Sequence, residues 1–143
     1  MTSCSLKTLL IAGLLALTAL PAASQKLNPL SSKGGAIAPG RYACQDWDYY
    51  GGPTVANNRI TTWFRISSPT AYAYVGSKEQ PGAMSYDPKA GSISFKTGPF
   101  APDENGRIDG VFGKRQDGHP MIVLTYRLKG ADVTGEYCTL VPR

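Results

Sequence analysis

A single histidine, His119, and three cysteines are all the imidazole and thiol groups in this sequence of 143 residues. A structural zinc site takes four such ligands in closely spaced pairs, whereas these stand at positions 4, 44, 119 and 138, and a histidine-assisted nucleophile needs its partner nearby, so neither chemistry has its pattern here. No Gly-x-Ser-x-Gly elbow and no phosphate-cradling glycine loop is present. The acidic stretch 103–109 looks like a calcium loop only until it is aligned on Gly106. That alignment puts Ala101 at the first ligand position and Phe112 where a bidentate glutamate belongs. The lysines and arginines form no dense run, although the formal charge is +5. Nucleic-acid binding needs a clustered basic footprint, and scattered charge describes a solvated surface instead. Amphipathic helical periodicity is missing, and no apolar run reaches the length of about 20 residues that a membrane span requires.

What is there begins with Met1 to Lys7, an uncharged apolar run from Leu9 to Leu20, and then Pro21-Ala22-Ala23-Ser24-Gln25. A short basic start, an apolar stretch of about a dozen residues and small residues at a cut site define an export signal over residues 1–24. Cys4 precedes the apolar run and so is no lipoprotein cysteine. The expected destination is the periplasm or the exterior. Cleavage leaves Cys44 and Cys138, an even count in an oxidising compartment, which reads as one disulfide. Residues 25–39 are rich in Ser, Gly and Pro and read as a flexible leader. Residues 40–143 are then a single domain, large enough for its own core.

Within it, Gly82 to Thr97 is the clearest structural signal. Two alternating arms flank Asp87-Pro88-Lys89-Ala90-Gly91. Proline presets φ, Asp87 can accept from the backbone ahead of it, and Gly91 can take positive φ, which together specify a hairpin loop. Met84 and Tyr86 share one face of the first arm; Ile93 and Phe95 share one face of the second. Alternation is equally clear in 58–66, with Ile60, Thr62, Phe64 and Ile66 on one side and Arg59, Thr61, Trp63 and Arg65 on the other. Residues 120–126 are nearly continuously apolar, which predicts cover on both faces. Further short segments at 40–47, 70–75, 107–112 and 133–140 give about eight strands with turns every 8 to 12 positions. The expected fold is all-β, a small antiparallel up-and-down barrel, with a β-sandwich as the alternative. Closure of an even-stranded meander sets the first strand beside the last, so that Cys44 faces Cys138.

One stretch has the composition of a recognition surface. In Gln45-Asp46-Trp47-Asp48-Tyr49-Tyr50-Gly51-Gly52, aromatic rings offer flat area, carboxylates accept hydrogen bonds and glycines permit close approach. The candidate ligand-binding residues are Trp47, Asp48, Tyr49 and Tyr50, with Trp63 extending the platform from the next strand. The competing expectation is that these aromatics plug the end of the barrel. The functional expectation is an exported, non-catalytic, monomeric binding domain for a glycan or small molecule, without metal or cofactor. The alternatives are an inhibitor of a secreted or host hydrolase, presenting the loop 98–106, and a hydrolase using Asp46 and Asp48.

The pattern Gly40-x-Tyr42-x-Cys44, Met84-Ser-Tyr86-Asp87-x-x-x-Gly91-x-Ile93-x-Phe95-x-x-Gly98-Pro99 and Tyr137-Cys138 resembles a group of small secreted bacterial all-β proteins. The resemblance rests on hairpin, turn and disulfide positions and implies a fold, with no site to carry over. The terminal-strand cysteines also look like those of the small barrel inhibitors of C-type lysozyme. The Ser-Gly-x-x-Tyr and Trp-x-Lys-Gly loops of those inhibitors are not found in this sequence.

Overall fold

A computed structural model of the chain describes residues 29–46 and 60–143. The expected export signal, and residues 25–28 of the leader, lie outside the described residues. Nine strands follow in order: β1 Ser32–Lys33, β2 Gly40–Asp46, β3 Thr62–Ser68, β4 Ala71–Val75, β5 Glu79–Tyr86, β6 Ser92–Phe95, β7 Gly106–Lys114, β8 Pro120–Leu128 and β9 Thr134–Leu140. Strands β2 to β9 each pair antiparallel with their sequence neighbours, and β9 returns to pair with β2. That closes an eight-stranded up-and-down barrel and removes the free edges an open sheet would leave. The sandwich alternative falls because one continuous ladder runs round the whole ring. Among the described residues, no helix is long and apolar enough to cross a membrane.

Cys44 and Cys138 are register partners across the closing seam, with Cα atoms 3.9 Å apart, and their sulfurs are bonded. The bridge therefore ties the first barrel strand to the last, as the alternation and the even strand count require.

Alternate residues of every barrel strand point inward, and the interior is filled by them. Tyr42, Phe64, Ile66, Tyr72, Met84, Ile93, Phe95, Phe112, Ile122 and Leu124 pack into one cluster with the two half-cystines. The Tyr42 hydroxyl, buried and pushed above its ordinary pKa by desolvation, donates to the carbonyl of Ala38 at 2.8 Å. Eight strands enclose just enough space for side chains. The filled interior leaves only the ends of the barrel and its outer wall accessible to other molecules.

The central hairpin forms as its turn chemistry predicts. Met84 pairs with Phe95 and Tyr86 with Ile93. Asp87 N donates to Ser92 O at 3.0 Å, and the Asp87 carboxylate accepts from Lys89 N at 2.8 Å. Gly91 has φ 73°, and a β-carbon there would sit 2.4 Å from Phe112 O and 2.6 Å from Gly34 N. Gly91→Ala is therefore expected to destabilise through both backbone strain, of order 1–3 kcal/mol, and collision with fixed backbone. Gly118→Ala supplies the comparison, since Gly118 has φ 79° but open space around it. Urea unfolding should place Gly91→Ala clearly below Gly118→Ala; equal midpoints would contradict this packing.

Residues 29–39 of the expected flexible leader pack against the barrel. Strand β8 is apolar on both faces, and its outward Met121 lies with Val123, Val111 and Tyr137 beneath Leu30, which is only 7% exposed. Ile37 enters the main core. Between them, β1 pairs with Gly113 and Lys114 of β7, Gly34 N donates to Phe112 O, and Gly35 N donates to Pro88 O. The Tyr86 hydroxyl donates to Gly35 O at 2.7 Å. Two isolated apolar residues carry no periodicity, so composition alone does not mark this segment as part of the fold.

Candidate functional site at the barrel mouth

Up-and-down topology sends alternate connections to opposite ends. β2 ends and β3 begins at one end of the ring, called here the mouth, and residues 76–78, 96–105 and 129–133 connect strands at that same end. Asp46 and Thr62, which flank the connection carrying the aromatic stretch, therefore lie at the same end of the barrel as the loop 98–106. Trp47, Asp48, Tyr49 and Tyr50 lie outside the described residues; the anchors of their connection, Asp46 and Thr61–Thr62, do not.

The described mouth is half polar. Glu136 stands two residues before Cys138 on β9, so the strand's alternation turns it inward, and it is only 4% exposed. A carboxylate taken out of water is costly unless its oxygens are hydrogen-bonded. Here three hydroxyls do that. Thr62 Oγ1 donates to Glu136 Oε1 at 2.8 Å, Thr61 Oγ1 reaches the same oxygen, and the Tyr126 hydroxyl donates to Oε2. The Tyr126 phenol is raised well above its ordinary pKa, first by burial and then by its hydrogen bond to Glu136 and the charge there. It stays protonated, and so stays a donor. Asp46, two residues beyond Cys44, is the register partner of Glu136 and adds a second carboxylate to this side.

The other half is aromatic. Phe100 folds inward from the connection after β6 and is buried against Tyr72 (stacked, 5.4 Å between ring centroids), Phe95 (5.1 Å), Phe64 (5.8 Å) and Tyr74 (6.0 Å). Its backbone N–H donates to the Tyr72 hydroxyl, which itself donates to Thr97 O at 2.8 Å. The loop 98–106 is thus held down at Phe100. Its exposed tip is closed by Asp103, whose carboxylate accepts from Asn105 N at 2.8 Å and Gly106 N at 3.1 Å.

Trp63 is placed elsewhere. It points outward from β3, on the opposite face from Thr62, and is half-buried. The Arg41 guanidinium lies over its ring, 4.2 Å from the centroid. The structure therefore separates Trp63 from the inward-facing polar residues of the mouth. Asp46 does join the site, whereas Asp48 is outside the described residues.

Composition does not single out Glu136, Tyr126, Thr61 or Thr62. The sequence does hold a signal for Glu136: once Cys138 is read as inward, a residue two positions before it in the same strand must be inward as well. Tyr126 and the threonines cannot be joined to it without the ring's register. Ligand atoms of Cys44, Cys138 and Glu136 lie within 4.8 Å of one another, but bonded sulfurs have no thiolate to offer a metal ion.

Fold and site together define a disulfide-closed, side-chain-filled antiparallel barrel with a buried carboxylate at one mouth. Compared with protein-family models, with curated proteins and with solved structures, the chain finds no match.

Proposed function

We propose that this protein is an exported, non-catalytic binding domain whose site is the mouth of the barrel, and whose ligand bears both hydroxyl groups and a flat face, as a glycan or ring-containing small molecule does. The observation that carries this reading is Glu136. It is buried, and its two oxygens hold Thr61, Thr62 and Tyr126. That arrangement fastens the base of the 47–61 connection to a rigid wall, which is the support a binding loop needs. The same connection contributes Trp47, Tyr49 and Tyr50 as stacking faces and Asp48 as an acceptor. Glu136 has hydroxyl donors on both oxygens and little exposure, so it is spent on structure; this favours binding over acid–base chemistry with Asp46. The Cys44–Cys138 bridge supports the expected passage through an oxidising compartment.

A glycan and metabolite screen tests the reading, followed by titrations with Trp47→Ala and Tyr50→Ala. A binding site predicts a hit whose affinity falls at least about tenfold, roughly 1.4 kcal/mol, in each variant, with unfolding midpoints almost unmoved. Variants that lose stability while the screen yields no ligand would instead make the aromatics a plug. A second reading, inhibition of a secreted or host hydrolase, draws on the tethered 98–106 loop, since a pre-ordered loop loses little entropy on docking. Its check is enzyme inhibition that disappears when residues 102–105 are replaced by glycine and serine.

A further inference from the structure

At the end of the barrel opposite the mouth, the start of β2, the end of β3 and the segment after β9 enclose a concavity of about 670 Å³. That is within the size range of small-molecule sites. Its walls are apolar at Ile66, Leu140, Val141 and Pro142, and its charged lining is Arg41, Arg65 and Arg143, with no carboxylate side chain among the lining residues.

The two strand arginines have different circumstances. They are direct register partners across β2 and β3, an arrangement of like charges that disfavours pairing. Arg65 is paired: its Nε and Nη2 each lie 2.9 Å from a Glu79 carboxylate oxygen, and Nη1 donates to Ser67 Oγ at 2.7 Å. Arg41 is not. Its guanidinium lies over the Trp63 ring, a contact that supplies no hydrogen-bond acceptor in the ring plane, and among the described residues it has no ion pair. A planar donor fork, held in place and left without an acceptor beside an apolar hollow, suits one kind of occupant.

We infer that this groove binds a small organic anion, with its carboxylate or phosphate on Arg41 and its hydrocarbon body against Leu140 and Val141. Neutralising Arg41 would also relieve its opposition to Arg65.

The test is an NMR titration of the whole protein with benzoate and with phenyl phosphate, following the Arg41 Nε–H and the Trp63 indole N–H. Inorganic phosphate and benzyl alcohol separate the charge from the apolar body. The expected result is saturable shifts of both signals with benzoate, phenyl phosphate or both, and binding at least about tenfold weaker for each of the two controls. Which of the two probes binds tighter identifies the anionic group. Arg41→Gln should weaken the tighter probe by at least about tenfold, while Arg41→Lys, which keeps the charge but not the planar fork, should lose less. Four results overturn the inference: shifts that never saturate, inorganic phosphate as effective as the aromatic anions, benzyl alcohol as effective, or undiminished binding in Arg41→Gln. Arg41 is near the start of β2, whereas Asp46 and the Thr61–Thr62 anchors of the mouth are at the other end of β2 and the start of β3, so a failure here leaves the mouth reading to its own experiment.

Discussion

Replacing Cys44 and Cys138 together by alanine is expected to lower the unfolding free energy by about 2 to 5 kcal/mol, the usual cost of losing a native bridge from a small secreted domain. The two residues are separated by 94 positions, and the chain-entropy estimate for a loop of that size is about 4.7 kcal/mol. Position matters as much as loop length. Every other barrel pairing joins sequence neighbours, whereas β2 and β9, the first and last strands of the barrel, meet only through long-range closure. The bridge sits in the middle of that seam, with both half-cystines completely buried. Denaturant unfolding of the double variant measures the loss, and hydrogen exchange should show β2 and β9 amides opening before those of β5 and β6. A change below about 1 kcal/mol, with unaltered exchange at the seam, would mean that the barrel closes without help. Intact mass of the exported protein checks the premise: residues 1–24 should be gone, and two hydrogens should be missing relative to the dithiol.

Phe95→Ala should cost about 3 to 5 kcal/mol. Phe95 ends β6 inside the barrel, edge-on to Tyr72 at 4.9 Å and to Phe100 at 5.1 Å. Removing its ring leaves a hole bounded by a hydrogen-bonded wall and by rings that are themselves wedged, so little can collapse into it. The damage should spread to the mouth, because Phe100 loses one of the surfaces that hold the 96–105 connection down. Phe95→Leu keeps most of the volume and should cost much less. Equilibrium unfolding, with amide exchange across 96–105, separates these outcomes; a Phe95→Ala protein as stable as its parent would show that the interior is not packed as described.

Much of this architecture is legible in the amino-acid sequence, for a local reason. Strand alternation is set within a few residues, so Met84 and Tyr86, Ile93 and Phe95, and Phe64 and Ile66 declare their common faces wherever the strands go. Turn chemistry is similarly local, and Asp87-Pro88-Lys89-Ala90-Gly91 makes the loop its residues demand. The leader differs from its expected flexibility because Leu30 and Ile37 bury singly, each against a surface that exists only after the barrel has closed. Trp63 lies on the outward face that alternation assigns to it, but its Arg41 neighbour comes from an adjacent strand and cannot be read from spacing.

By itself, then, the sequence determined the strand count to within one, the inward set of most strands, the hairpin and the partnership of Cys44 with Cys138. All of these depend on residue-to-residue alternation, on turn stereochemistry or on an even count in a closed ring. Only the tertiary structure decided which polar groups meet. Glu136 finds Thr61 and Thr62 some 75 positions away because β9 closes on β2 and β2 carries β3 beside it. Register across that seam is a collective property of the whole ring, set by the packing of its interior. No window of neighbouring residues contains it.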